Sequence, residues 1–142
     1  MHIRALTPQD ARVFHAFRLR GLKESPEAFA SSYEEEVGIP IEDVERRLAP
    51  KSDSVIFGAF QGPELCALLG LQRETMTKLA HKSSIWGLYV APEVQGRGIG
   101  TQIMRHALAH AATAFGSRQV NIGLSTLNAP ALALYKRLGL AE

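Results

Sequence analysis

The sequence predicts a mixed α/β domain, and three observations carry that prediction. The apolar runs come as one strand, then helical patterns, then three strands in succession, then a helix, a strand and a last helix. Two of the consecutive strand runs are joined by Gln61-Gly62-Pro63-Glu64, a tight-turn sequence that predicts a hairpin. No linker, internal repeat or low-complexity tract interrupts the 142 residues, so residues 1–142 read as a single domain.

The first strand is Ile3 to Leu6. A helix follows from Thr7, with Thr7 as N-cap, Pro8 at the first helical position and Asp10 in the first turn. Phe14, Phe17, Gly21 and Leu22 share one face of it, and Ser25-Pro26 breaks it. A shorter helical piece runs from Pro26 to Glu36, and a third from Ile39 to Leu48 is stopped by Pro50. Ser54 to Phe60 and Leu65 to Gln72 form the hairpin. Ser84 to Ala91 is the next strand, ended by Pro92. After a glycine-rich stretch, Ile99, Ile103, Ala107, Ala111 and Phe115 recur at helical spacing, and Gly116 ends that helix. Val120 to Thr126 is a strand, and Asn128-Ala129-Pro130 opens a last helix closed by Gly139.

Composition is that of a globular chain, 46% hydrophobic and 21% charged, with no apolar run near the ~20 residues of a membrane span. The N-terminus has no signal-peptide pattern, and the one cysteine, Cys66, excludes an internal disulfide framework. Together these point to the cytoplasm. A net charge of +2 does not imply nucleic acid. Six acids crowd between Glu34 and Glu45, while Val94 to Ala141 holds no acid but carries Arg97, Arg105, Arg118, Lys136 and Arg137. That basic segment favours an anionic ligand, although a solvated helix face would look the same.

Gly96, Gly98 and Gly100 stand between a strand and a helix start. The first N–H groups of a helix have no intrahelical partner, its dipole is positive there, and glycine has no Cβ to hold a ligand away. A phosphate could therefore reach the backbone directly. The dinucleotide fingerprint fails because its last glycine falls at Thr101, and a Walker loop fails for want of a lysine. What remains is Gln95-x-x-Gly98-x-Gly100, in the context LYVAPEVQGRGIGTQIM. This resembles the GNAT superfamily of acyl-CoA-dependent N-acyltransferases, and NAPALALYKRLG, Asn128 to Gly139, resembles the second signature of that family.

The resemblance implies a mostly antiparallel central sheet with helices on both faces and splayed strands at its centre. It implies acetyl-CoA as co-substrate, no metal, and a primary amine on a small molecule, amino acid or peptide as acceptor. Gln95, Gly96, Arg97, Gly98, Ile99, Gly100 and Thr101 then surround the pyrophosphate, and the backbone of Leu88, Tyr89 and Val90 pairs with the pantetheine arm. Tyr135 matches the family's general acid for the departing thiolate, or is a packing residue; Asn128 touches the coenzyme, or only caps its helix. Some relatives carry a glutamate eleven residues before the motif glutamine, where this chain has Ser84. No carboxylate lies from Thr75 to Pro92, so the base falls to His81, which otherwise is an exposed loop histidine, or to Glu34 or Glu35. His106 and His110 have metal spacing but no third ligand, and read as surface histidines. The family's final strand has no counterpart after Gly139, so either the chain is cut, a partner supplies the strand, or the acceptor side is open, and an open sheet edge points to a homodimer. The missing base and strand leave a coenzyme-binding module without turnover as one alternative, and the glycine loop leaves a nucleotide-binding domain as another.

Overall fold

A computed structural model describes residues 1–26, 31–51, 53–73, 82–113, 115 and 119–122. Five strands form one sheet in sequence order: β1 (His2–Ala5), β2 (Ser54–Gln61), β3 (Glu64–Arg73), β4 (Lys82–Val90) and β5 (Gln119–Ile122). The first four are antiparallel neighbours, and β5 runs parallel to β4, pairing Lys82–Ile85 with Gln119–Ile122. The helices are α1 (Ala11–Glu24), α2 (Tyr33–Glu36), α3 (Ile41–Leu48) and α4 (Ile99–Thr113).

The sheet is buried on both sides because β2 and β3 are apolar at nearly every position rather than alternating. Phe57, Ala59, Ala67, Leu68, Leu69 and Leu71 are all at most 2% exposed. Phe57 pairs with Leu69 and points to α4, where its ring meets the edges of His106 and His110 at 4.9 and 5.3 Å. The next position along, Gly70, lies opposite Trp86, and this face meets α1, as Arg18 over the Trp86 ring shows. Helices therefore cover both faces, as expected. The two histidines are a finding of their own: His106 is exposed, but His110 is half-buried between Phe57 and Phe115, and burial lowers its pKa. Only a structure could show Phe57 beneath them, because it comes from a strand some fifty residues earlier.

The α1 entry differs from the simple N-cap. Residues Pro8–Asp10 form a 3₁₀ turn before the helix. The Thr7 N–H and hydroxyl donate to Asp10 Oδ2 at 2.7 and 3.2 Å, while Arg4 grips both Asp10 oxygens at 2.8 Å. Those Arg4 bonds, against the opposing effect of burial, hold the Asp10 carboxyl at about 2. Of the helical piece expected over Pro26 to Glu36, Pro26 is in 3₁₀ conformation and Tyr33–Glu36 form α2, capped by the Ser32 hydroxyl, which accepts from the Glu35 N–H at 3.2 Å. Its residues 27–30 lie outside the described set. In α3, Glu42 and Asp43 sit in the first turn and Arg46 and Arg47 in the last, each sign matching the helix dipole.

Gly70 has a specific job. A Cβ built there would overlap Cε2 of Trp86, so the indole lies flat on bare backbone. Gly70→Ala is expected to cost about 1–3 kcal/mol by displacing the ring. Trp86 is the chain's one tryptophan, so its fluorescence should shift cleanly with the unfolding curve; unchanged emission and stability would contradict this packing.

Candidate active site

The glycine stretch is built as an arch between two buried pins. Val94, 6% exposed, closes the 3₁₀ turn Pro92–Val94, and Ile99, 3% exposed, begins α4. Between them Gln95, Gly96, Arg97 and Gly98 are exposed. Gly96 and Gly98 take φ of +83° and +79°, the left-handed region that side chains disfavour, and the space around both is open. The chain can turn into the helix here without any Cβ over its first turn. The first helical bond is Gln102 N–H to the Gly98 carbonyl at 3.0 Å, so the N–H groups of Ile99, Gly100 and Thr101 precede the intrahelical ladder. Gln95 pins the arch: its side-chain amide donates to the Val90 carbonyl at 3.1 Å. Arg97 has no ion-pair partner among the described residues. Bare amides, a positive helix end and a cation are what a diphosphate needs.

β4 leads to this arch through a bulge. Two residues of β4, Gly87 and Leu88, lie between its pairs Trp86↔Gly70 and Tyr89↔Leu68, against one residue of β3. Gly87 absorbs the extra residue at φ +64°. Leu88 and Tyr89 are buried and Val90 half-buried, so their contribution to a ligand would be backbone, as the resemblance implies.

The α1 face of β4 holds carboxylates that its own sequence lacks. The Tyr89 hydroxyl donates to Glu24 Oε2 at 2.6 Å while its ring packs on Phe17 with centroids 5.2 Å apart. Burial, then the Glu24 carboxylate, pushes the Tyr89 phenol upward. Arg20 donates to Glu24 at 3.2 Å and to both oxygens of Glu93 at 2.8 and 2.5 Å. Those bonds hold Glu93 at about 2 and tie the turn before the glycine arch to α1. Beside the bulge, Arg18 grips Glu36 through Nε and Nη2 at 2.6 and 2.8 Å, and Arg47 Nη1 reaches the same Glu36 Oε1 at 3.3 Å. Arg18 and Glu36 are 7% and 3% exposed. Arg18 also lies 3.5 Å from where a Gly87 side chain would begin and 5.7 Å from the Trp86 ring centre. Burial alone would raise the Glu36 pKa, but Arg18, Ser31 and Arg47 outweigh it and hold the carboxyl at about 2.

The structure thus brings Leu88, Tyr89, Val90, Gln95, Gly96, Arg97, Gly98, Ile99, Gly100 and Thr101 onto one strand–loop–helix unit. His81, Asn128 and Tyr135 lie outside the described residues. Glu34 and Glu35 are exposed, and Glu35 accepts from the Ser32 hydroxyl at 3.1 Å. Their neighbour Glu36 is the acid that turns inward. Arg18 and Glu36 carried no local signal, since each is recognised by a partner distant in sequence; Glu24 has Arg20 one turn away, but nothing local points to its bond with Tyr89. Among the described residues no group of three or more His, Cys, Asp or Glu could hold a metal, and no helix is long and apolar enough to cross a membrane.

Solved structures share this fold. An acetyltransferase of the GNAT family from Streptococcus pneumoniae matches with a TM-score of 0.84 at 20% identity, over 97% of this chain and 82% of that one. An aminoglycoside acetyltransferase from an uncultured soil sample matches at 0.79 and 23%, over 99% and 91%. A GCN5-related N-acetyltransferase from Ralstonia eutropha matches at 0.73 and 20%, over 99% and 92%. At such identities the likeness is one of fold. No curated protein matches in sequence. The sequence model of the acetyltransferase (GNAT) family matches residues 22–140, spanning the end of α1, the bulged strand and the glycine arch. With that match over most of its length, the chain belongs to the GNAT acetyltransferase family.

Proposed function

We propose that the protein transfers the acetyl group of acetyl-CoA to a primary amine by direct attack of the amine on the thioester. The observation that carries this reading is the arch at Gly96–Gly100, with two left-handed glycines and open space before a helix N-terminus. Its amides and Arg97 would hold the diphosphate, and the backbone of Leu88, Tyr89 and Val90 would receive the amides of the pantetheine arm. An arm lying back along β4 from Val90 would pass the bulge at Gly87 about 10 Å on, at about 3.3 Å of strand per residue, and the reading places the thioester there.

Reaction needs a neutral amine, a polarised carbonyl and a proton for the leaving sulfur. The amine passes its proton to a base, for which His81, just before β4 and with an unperturbed pKa suited to the task, is the candidate. A nitrogen–carbon bond forms and the carbon–sulfur bond breaks, and Tyr135 returns a proton to the thiolate. Much of the acceleration comes from holding the two reactants in line. Tyr135→Phe is expected to lower kcat by about 100-fold or more while leaving acetyl-CoA affinity unchanged. Unchanged turnover would reduce Tyr135 to a packing residue.

The experiment that tests the whole reading is calorimetric titration of the unaltered protein with acetyl-CoA. Saturable binding with ATP and NAD unable to compete supports it; no heat with acetyl-CoA ends it. A module that binds the coenzyme without turnover is the second reading, favoured by the absence of a carboxylate on β4. Thiol release with any amine in a panel would dismiss that one.

A further inference from the structure

Arg18 and Arg47 share a single carboxylate, Glu36, and they share it unequally. Arg18 takes both oxygens at 2.6 and 2.8 Å, which leaves Arg47 one bond of 3.3 Å. A guanidinium has five N–H donors, and the Arg47 guanidinium uses no other among the described residues. It stands exposed on the wall of a cavity of about 600 Å³ between α3, the start of β2 and Trp86. That volume suits a small molecule rather than a macromolecule.

The other charges lining this cavity are already engaged. Arg46 pairs with Asp43 on α3. Lys51 Nζ donates to the carbonyls of Arg46, Arg47 and Ala49 at 3.0, 3.0 and 3.3 Å, where it answers the negative end of α3. The Arg18–Glu36 pair is neutral as a unit. Two positive charges on this wall then lack a carboxylate of their own: Lys51, which is held on backbone carbonyls, and Arg47, whose bond to the shared Glu36 is the long one and whose remaining N–H donors are unused among the described residues. Trp86 supplies an apolar wall, next in sequence to the bulge residue Gly87, with Gln72 as a neutral polar neighbour.

We propose that the acceptor is an amine that carries a carboxylate, and that Arg47 binds this carboxylate in the cavity beside Trp86. The inference rests on the acyltransfer reading above, which puts the thioester at Gly87 and hence the acceptor nitrogen within reach of Trp86. Lys51 is held in place by three carbonyls, whereas Arg47 keeps free donors, and the planar fork of an arginine fits a carboxylate through two parallel bonds. The acceptor class is then a free amino acid or a small amino-carboxylic acid, with its apolar part against the indole.

The test is calorimetric titration of the full chain, with and without saturating coenzyme A, using matched pairs. The pairs are L-phenylalanine with L-phenylalaninamide, L-leucine with L-leucinamide, and β-alanine with β-alaninamide. The carboxylate member of at least one pair is expected to bind about tenfold or more tightly than its amide. Arg47→Gln should weaken that member by about 10- to 100-fold and its amide partner less than about twofold, with the melting temperature lowered by no more than a few degrees for the lost long bond to Glu36. The same substitution should raise KM for the acid in an acetylation assay and leave kcat near its starting value. Amides that bind as well as acids, equal weakening of both members by Arg47→Gln, or no binding by any of the six would overturn the inference. Acetyl-CoA titrated alone separates the two ideas. Heat with acetyl-CoA but no preference for acids ends this inference only. No heat with acetyl-CoA ends the acyltransfer reading, while the titrations without coenzyme still interrogate the cavity.

Discussion

Replacing Gly98 with aspartate is expected to abolish acetyl-CoA binding while leaving the protein folded. Gly98 sits where the backbone enters α4 at φ +79°, and a Cβ at this position would meet no atom within 4 Å. A non-glycine residue there costs about 1–2 kcal/mol for the left-handed conformation, least for Asp and Asn. Part of that cost is returned, because a carboxylate favours a helix N-terminus. The melting temperature should therefore fall only a few degrees. The ligand loses far more. The new carboxylate competes for the amides of Ile99, Gly100 and Thr101 and repels the diphosphate they would hold. Affinity should drop by more than about 100-fold, or ~3 kcal/mol. Gly98→Ala separates the causes, since it adds strain and bulk without charge, and should cost about tenfold. Calorimetry and thermal melts on the two variants check this; an aspartate variant that binds normally would contradict it.

The second large effect is on stability. Glu36→Ala should destabilise the fold by about 3–5 kcal/mol, because it leaves the Arg18 guanidinium buried without its carboxylate. For a chain of this size the melting temperature should fall by roughly 10 °C or more. Arg18→Met combined with Glu36→Leu removes both charges and should recover most of the loss, since an apolar pair of similar volume replaces a buried ion pair at little cost. Denaturant titrations of the three variants give the comparison, and a single variant within about 1 kcal/mol of the parent would contradict it. The pH dependence has a definite sign. The Glu36 carboxyl is lowered from an ordinary 4.5 to about 2 in the folded protein. Its stabilisation is complete above about pH 4.5 and disappears as pH falls through about 2, and Asp10, also at about 2, is lost over the same window. Glu36→Ala should therefore flatten the acid limb of the stability curve.

The acidic run at Glu34–Glu36 shows where a sequence stops being informative. Three adjacent acids on a helix point about 100° apart, so at most one can face a given neighbour. Which one does depends on Arg18, some eighteen residues earlier, and on Arg47 in another helix. No local pattern encodes that meeting, so exposed Glu34 and Glu35 look as promising as buried Glu36. The same holds for Glu24, which reaches β4 only through Tyr89. By contrast, the hairpin of β2 and β3 and the apolar stripe of α4 were legible, because turn residues and periodicity are local properties. The glycine arch was legible for a similar reason: its left-handed residues at 96 and 98 are sterically marked in the sequence itself. The bulge at Gly87 was not, since a single glycine inside a strand has several meanings until its partner strand is known.

The central claim is that the backbone amides at the mouth of α4 hold the diphosphate of the coenzyme. Amide chemical shifts of the isotopically labelled protein, followed by NMR during titration with coenzyme A, test it residue by residue. The N–H signals of Gly96, Gly98, Ile99, Gly100 and Thr101 should move most and saturate together, with those of Leu88 to Val90 following. Saturation elsewhere in the chain while those five signals stay in place would contradict it.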